Sequence, residues 1–199
     1  MMRFLMLALF LALGSACSKK VDTPARDILS RNLLNSVSGP MMLTEFATKN
    51  VSITMRRRSE NGPVKTWNSK DGVSLSFERG VVVGTRGLGD DLMSSDVNGS
   101  LVMLAGQMGD RFYQRFQTYL DGEYQSQFRS FQCQRTSSRR EVVRIFERNH
   151  ATTRTEETCY TPDLQFTNIY WRGSDGIMWK SQQWISPSIK YLVTERLVR

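Results

Sequence analysis

Alternation of apolar and polar side chains is the feature of this sequence that most restricts its fold. The alternation runs through residues 51–56 and returns at residues 73–78, and a short apolar stretch follows at residues 80–84. Because successive side chains of a strand point to opposite faces, a period of two predicts half-buried antiparallel strands. The turn-forming dipeptides between these segments are Gly62-Pro63 and Asp71-Gly72.

The second half of the chain reads as strand pairs joined by turns. One pair flanks Asp121-Gly122, which fits a two-residue hairpin turn, and another flanks Asn149-His150. The predicted strands span residues 112–120, 124–133, 141–148, 152–160, 164–172, 177–185 and 189–198. Little helix separates them, so we expect a mainly β fold of nine or ten strands: an antiparallel meander that forms a curved sheet or barrel-like domain.

Helix is predicted in two places. Thr23 and Pro24 suit the cap and the first position of an N-terminal helix, whose apolar positions continue at helical spacing as far as Val37. A short helical turn is expected within residues 88–97, with Asp90 as its cap.

Composition restricts the class of protein. The chain has 199 residues, 40% of them hydrophobic and 23% charged, and a net charge of +8. These values exclude a disordered, collagen-like or multi-span membrane protein. At roughly 100 to 200 residues per domain, the length supports one domain and is too short for a two-domain cofactor enzyme, so no cofactor is expected.

The N-terminus has the pattern of a secretory signal. Arg3 precedes an apolar run over residues 4–13, and the small residues 14–16 precede Cys17. The run is too short to span a membrane as a helix. The ending Leu-Gly-Ser-Ala-Cys resembles the lipobox of bacterial lipoproteins, which are cleaved before a cysteine that then carries acyl chains. A plain secreted protein with an incidental Cys17 is the alternative.

The lipobox resemblance implies both processing and location. Residues 1–16 would be the lipoprotein signal peptide, residues 17–22 a lipidated tether, and residues 23–199 a single β-rich periplasmic domain. Ser18 stands where such lipoproteins carry Asp when they stay at the inner membrane. The implied location is the outer membrane, anchored by lipid and facing the periplasm.

Two cysteines remain if Cys17 is lipidated. Compartments beyond the inner membrane are oxidising, so we predict a disulfide between Cys133 and Cys159. Two free thiols with a redox role are the alternative, although the Cys-x-x-Cys spacing typical of that role is absent from the sequence.

Residues 81–96 form the most distinctive stretch of the sequence. Gly87 and Gly89 follow an apolar strand, but the spacing lacks the third glycine and the βαβ frame of a dinucleotide loop. Asp90, Asp91 and Asp96 invite comparison with a glycosidase carboxylate pair. Adjacent residues of an extended segment point to opposite faces, which favours a structural role in a turn or cap over catalysis.

His150 is the one histidine of the chain. With no second histidine and no free cysteine expected, no zinc site of the usual composition is predicted, and no Ser-His-Asp constellation is identifiable. His150 is expected to be exposed in a turn, and action as a lone acid or base is the alternative. We therefore predict no catalytic residues, no metal and no enzyme.

Arginine dominates the cationic residues. The strongest concentration within the predicted disulfide loop includes Arg139, Arg140, Arg144 and Arg148. Guanidinium groups bind carboxylates and phosphates through bidentate hydrogen bonds. Because export excludes nucleic acid, the candidate partners are acidic polysaccharide, lipid phosphate or a protein surface. A solvated basic face is the alternative.

Aromatic residues concentrate in the last three predicted strands, where exposed rings can stack on sugars and buried ones fill a core. Alternation places Tyr170 and Trp171 on opposite faces, so at least one can point outward. The set is Tyr170, Trp171, Trp179, Trp184 and Tyr191.

Two stretches carry a family resemblance. They are GTRGLGDDLMSSD at residues 84–96 and YWRGSDGIMWKSQQWISP at residues 170–187, the second combining an aromatic strand, a glycine turn and a strand with Ser-Gln before Pro. With the lipobox, the short helix and the β-rich domain, they resemble the YjbF/GfcB family of bacterial lipoproteins, also called YmcC-like.

This resemblance implies a non-enzymatic accessory lipoprotein in extracellular polysaccharide or group 4 capsule production and export. The basic and aromatic surface would hold acidic polysaccharide or an outer-membrane export protein, while acyl chains on Cys17 keep the domain at the membrane. A polysaccharide-modifying enzyme and a β-barrel-like carrier of a lipid or hydrophobic ligand are the alternatives.

Overall fold

Strands make up most of the computed structural model, which describes residues 23–47, 51–120 and 125–199. Twelve strands lie in this part of the chain: β1 (Met41–Phe46), β2 (Val51–Asn61), β3 (Val64–Asn68), β4 (Ser74–Glu78), β5 (Val81–Arg86), β6 (Leu92–Ser95), β7 (Tyr113–Leu120), β8 (Ser126–Ile145), β9 (Arg148–Tyr160), β10 (Gln165–Gly173), β11 (Met178–Ser186) and β12 (Lys190–Val198). The predicted signal peptide, Cys17, the tether and the Asp121-Gly122 turn lie outside the described residues.

The described strands form one antiparallel sheet in the order β5-β4-β3-β2-β1-β12-β11-β10-β9-β8-β7-β6. Strands that follow one another in the chain pair with each other except β5 and β6, and the first and last strands, β1 and β12, also pair, with Thr44 opposite Thr194. The edge strands β5 and β6 touch without joining the ladder, and Gly84 lies against the carbonyls of Leu92 and Met93. The result is a nearly closed, barrel-like sheet, which confirms the predicted fold class.

The β8–β9 hairpin is longer than predicted. Strand β8 is continuous, so the strands predicted at residues 124–133 and 141–148 are one strand. The turn falls at Phe146 and Glu147, which have φ angles of 41° and 71°, so the turn predicted at Asn149-His150 is wrong. Residues 134–140 are polar and partly or fully exposed, which is why no alternation marks them as strand.

Three short helices occur within the described ranges: α1 (Ala25–Ile28), α2 (Arg31–Asn35) and α3 (Asn98–Leu104). The predicted N-terminal helix is broken at Leu29, which is extended, and Ser30 then caps α2 by accepting a hydrogen bond from the Leu33 amide at 3.3 Å. The helical turn predicted within residues 88–97 is wrong in position because Leu92–Ser95 is β6. At the start of α3, Asp96 accepts from the Asn98 amide at 3.0 Å.

Apolar side chains fill the barrel interior on the side of β1 to β5. Met42, Met55, Trp67 and Leu75 belong to this interior core, and each is at most 4% exposed. A second apolar cluster lies outside the barrel wall, where Leu34 of α2 packs with residues of β1, β8, β11 and β12. Strand β1 is therefore covered on both faces, which explains why its sequence lacks alternation and escaped prediction.

No helix in the described residues is long and apolar enough to cross a membrane.

Candidate functional site

A cavity of about 580 Å³ lies at one end of the barrel, where the β2–β3, β4–β5 and β10–β11 turns approach the end of β12. Its floor is apolar and includes Met42, Trp67 and Phe77, which also belong to the interior core. The volume falls within the range of roughly 300–1,000 Å³ that small-molecule sites occupy in proteins. The core therefore ends in a pocket open to solvent.

The β4–β5 turn forms one wall of this cavity, and Gln183 holds it from across the interior. The Gln183 side-chain amide donates to the Gly80 carbonyl at 2.9 Å, and its oxygen accepts from the Val82 amide at 2.9 Å. Gly80 has a φ of +93°, and a Cβ there would lie 2.5 Å from the Cβ of Met178. Glycine is thus required where the turn meets β11.

Cationic side chains surround the apolar floor. In the described part of the chain they are Arg57, Lys65, Arg79, Arg172, Arg196 and Arg199. Two carboxylates offset them: Asp175 binds Arg199 at 2.8 Å, and Glu60, next to the lining, binds Arg57 at 2.6 Å. Six cations against two carboxylates leave a net charge of +4 around the cavity.

Three of these guanidinium groups have no acidic partner. Within the described ranges, no carboxylate oxygen lies within 4.0 Å of Arg79, Arg172 or Arg196. Arg172 has one weak contact, an Nη1 donation to the Leu104 carbonyl at 3.4 Å. The cavity therefore presents positive charge that the protein itself leaves unneutralised.

Arg196 is the most unusual of these residues. Its Cζ lies 4.2 Å from the centroid of the Trp67 ring, and its buried Nε has no hydrogen-bond partner in the described structure. Burial, reinforced by the nearby charge of Arg57, lowers the pKa of Arg196 to about 10. An anion bound in the cavity would offset the cost of this desolvation by charge pairing and stabilise the charged form of Arg196.

A groove of about 700 Å³ lies on the other side of the β10–β11 turn, between α3 and the β8–β9 hairpin. Arg172 lines both the groove and the cavity. Arg140, Ser138 and Thr153 add an exposed cation and exposed hydroxyl groups to the groove. These groups suit a hydroxyl-rich, acidic ligand.

The predicted arginine surface is exposed but is not one cluster. Arg139 pairs with Glu141 at 2.9 Å, and Arg148 donates to the Asn35 side chain at 2.9 Å next to α2. Arg140 and Arg144 are exposed, and Arg140 is the one of the four predicted arginines that lines the groove. A role for these arginines in anion binding stays a prediction.

The motif loop between β5 and β6 is organised by Asp91. Its carboxylate accepts from the Thr85 hydroxyl and the Gly87 amide, both at 2.8 Å, and from the Leu88 amide at 3.2 Å. Gly87 and Gly89 both have positive φ angles, 84° and 99°. Asp91 thus acts as a loop-shaping residue, and Asp96 accepts from the Asn98 amide in the turn that precedes α3.

The predicted disulfide between Cys133 and Cys159 is confirmed. The two residues are directly opposite in β8 and β9, with an S–S distance of 2.04 Å. Glu157 lies close to both sulfur atoms, but oxidised sulfurs are not thiolate ligands. The group is therefore a cross-linked piece of the core.

Glu157 is the centre of a buried polar network that sequence reasoning missed. Its carboxylate accepts from Ser100, Tyr113 (2.5 Å), Arg115 (3.0 Å), Asn168 (2.7 Å) and Tyr170 (2.7 Å). Burial would raise the pKa of Glu157, but Arg115 and these hydrogen bonds hold it below its usual range. Burial and the charge of Glu157 raise the pKa of Tyr170 well above its usual value.

The aromatic residues of the last strands divide between core and surface. Tyr170 is buried inside the barrel, while Trp171 lies on the opposite face, where Arg154 and Lys180 approach its ring and its Nε1 donates to Glu141 at 2.7 Å. Trp179 and Trp184 are 7% and 8% exposed, so they are core residues. Tyr191 meets Trp184 edge to face.

His150 lies in β9 instead of an exposed turn. Its ring stacks on Trp179 with 3.6 Å between centroids. Burial and the neighbouring Arg199 lower the pKa of His150. The expectation of a loop histidine is wrong, because the turn occurs before it.

Arg196 and Trp67 were not singled out from the sequence, although a signal was present. In β12, Leu192, Thr194 and Arg196 share one face, and Leu192 and Thr194 are buried in the interior. A charged residue that continues an inward-facing series marks a place where the interior opens. Trp67 lies in β3, a short strand that the sequence pattern did not reveal.

Comparisons with known proteins agree with this architecture. The crystal structure of the hypothetical lipoprotein YmcC from Escherichia coli (K12) matches with a TM-score of 0.69 and 16% sequence identity, covering 86% of this chain and 89% of that chain. A search of curated proteins found no match. The family model described as group 4 capsule polysaccharide lipoprotein gfcB, YjbF matches residues 14–197. The chain therefore belongs to the YjbF family of group 4 capsule polysaccharide lipoproteins.

Proposed function

We propose that this chain is a non-enzymatic accessory lipoprotein of extracellular polysaccharide or capsule production, which binds acidic polymer in the cationic cavity. Acyl chains on Cys17 hold it at the outer membrane, facing the periplasm. The observation that carries the proposal is the cavity's surplus of guanidinium groups, above all Arg196, Arg172 and Arg79, which lack a carboxylate partner within the described ranges.

Charge supports an acidic ligand over a neutral hydrophobic one. A neutral apolar molecule filling the cavity would remove water from cations that have no counter-ion, which is unfavourable. A carboxylate-bearing sugar can form bidentate hydrogen bonds with these guanidinium groups and place its apolar ring face against Met42 and Phe77. The membership in a capsule polysaccharide family is consistent with such a ligand.

The hydrogen bonds around the buried carboxylate of Glu157 support a structural role for this residue over a catalytic one. Its oxygens are occupied by hydrogen bonds from the protein, and none of the residues that line the cavity is among the donors. Asp91 is likewise engaged by its own loop. Both carboxylates thus hold parts of the fold together.

The test is the amount of cell-bound and secreted acidic polysaccharide in a deletion strain, complemented with the wild-type chain or with Cys17→Ser. We expect the deletion to lower secreted polymer and only the wild-type chain to restore it. Unchanged polymer in the deletion strain, under conditions where the host makes it, would contradict the proposal. Full restoration by Cys17→Ser would contradict the anchored form of it.

A further inference from the structure

The cavity and the groove meet at a single residue. Arg172 lines both, while Ser174 lines the groove and Asp175 lines the cavity. The β10–β11 turn therefore separates the two depressions, and the Arg172 guanidinium reaches both. A ligand longer than one sugar unit can occupy the two spaces only by passing this side chain.

Strand pairing places three ligand-facing residues in one row. Arg140 of β8 is directly opposite Thr153 of β9, and Thr153 is directly opposite Arg172 of β10. Directly opposed residues project from the same face of a sheet. The two guanidinium-bearing residues are two strands apart, which is roughly 9 to 10 Å at the usual strand spacing.

Both ends of this row are free of acidic partners. No carboxylate in the described structure lies within 4.0 Å of Arg140 or Arg172. Glu141, the acidic residue of the groove lining, is engaged by Arg139 and Arg154. The row presents a cation, a hydroxyl and a second cation, and Arg196 lies beyond it in the cavity.

We infer that the groove and the cavity form one extended track for an acidic oligosaccharide, with Arg140 and Arg172 contacting successive acidic units and Arg196 contacting the unit in the cavity. The inference rests on the proposed function and adds a second binding space, the groove, and the length of ligand that the two spaces accept. The track recognises carboxylate groups repeated along a sugar chain, because Arg140 and Arg172 stand two strands apart in one row and Arg196 lies in the cavity that Arg172 also lines. A compact anion fills only the cavity.

The probe is a series of oligogalacturonic acids of one, two, four and six units, titrated by calorimetry into the full-length chain in detergent. Maltohexaose serves as the neutral ligand of matched length. We expect affinity to rise at least tenfold from the monomer to the tetramer, and maltohexaose to bind at least tenfold more weakly than the acidic hexamer.

Three variants divide the track. Arg196→Met is expected to lower the affinity for oligomers of every length. Arg140→Met is expected to reduce the increase in affinity from monomer to tetramer at least threefold, and Arg172→Met is expected to have both effects. Lys70→Met removes the same charge from an exposed turn outside both linings and is expected to behave as wild type. Urea unfolding of each variant shows whether it is folded.

Two results would overturn the inference while leaving the proposed function standing. One is an affinity that does not depend on length, which would mean that only the cavity binds. The other is an Arg140→Met variant, folded like wild type, that keeps the full gain from length. If no acidic oligomer binds and the deletion strain makes normal polymer, both the inference and the proposed function fail.

Discussion

The Arg196 guanidinium stacks on the Trp67 ring, with Cζ 4.2 Å from the ring centroid. Trp67 is 1% exposed and belongs to the interior core, so its ring position is set by the packing of the barrel. The ring holds a cation at the cavity floor without neutralising it. This pair joins the apolar core to the charged cavity.

Arg196→Met should leave the free energy of unfolding unchanged within about 1 kcal/mol, or raise it. The side chain has no acidic partner among the described residues and an unpaired buried Nε, so methionine removes a desolvated charge and keeps apolar contact with Trp67. Urea denaturation measures the change. A loss of several kcal/mol would show that Arg196 supports the fold instead of a ligand.

Arg115→Met is the matched control and should be strongly destabilising, by about 3–5 kcal/mol. Arg115 is 1% exposed and donates to Glu157 at 3.0 Å, so its removal leaves a buried carboxylate without its counter-ion. The same urea titration compares the two arginines. Equal effects at both positions would contradict the distinction between a ligand-facing and a structural arginine.

Acid should destabilise the protein through Glu157. Its folded-state pKa lies below the ordinary value of 4.5, so the stabilisation is complete above pH 4.5 and is lost as the pH falls through the folded-state pKa. Unfolding free energies of wild type and Glu157→Gln, measured from pH 7 to pH 3, should converge as the pH falls. A constant gap over that range would contradict this assignment.

Removing the disulfide should lower the free energy of unfolding by about 3 to 4 kcal/mol in the chain-entropy account. Cys133 and Cys159 are separated by 26 positions, and the bond shortens the loop that the unfolded chain can explore. Thermal unfolding of Cys133→Ser/Cys159→Ser is compared with wild type with and without reductant. Reductant should destabilise the wild type only; an equal effect on both chains would be inconsistent with the assignment.

Gly80→Ala should destabilise the protein more than Gly62→Ala. Both positions have positive φ, 93° and 56°, so both substitutions introduce backbone strain of about 1 kcal/mol or more. A Cβ at Gly80 also collides with Met178, whereas nothing lies within 4 Å of a Cβ at Gly62. Chemical denaturation gives the difference, and equal losses would contradict the tight seating of the β4–β5 turn.

The overall architecture was predictable because a strand that is buried on one face only has alternating apolar and polar residues in its sequence. Strand β4 shows this alternation, with Leu75 and Phe77 buried and Ser74 and Ser76 half-buried. Strand β1 shows no alternation, because α2 covers its outer face and the interior core covers its inner face, so both faces are apolar. The middle of β8 also shows no alternation, but for the opposite reason, since polar residues occupy both of its faces.

The candidate site was less predictable than the fold. Arg140 was singled out because it lies in a dense run of arginines. Arg172 and Arg196 lie outside that run, and they line the same cavity only because β10 to β12 are neighbours in the sheet. The residues that line the cavity come from strands far apart in the chain, so no motif of fixed spacing in the sequence marks the site. The disulfide was predictable because the cysteines were few.

The most direct test of the account is the amount of acidic polysaccharide made by a strain whose chromosomal copy carries Arg196→Met, with the variant at wild-type protein level. Lys70→Met is the control with the same loss of charge. Arg196→Met is expected to lower secreted polymer toward the level of the deletion strain, and Lys70→Met is expected to leave it unchanged. Normal polymer from a folded, fully expressed Arg196→Met protein would contradict the account.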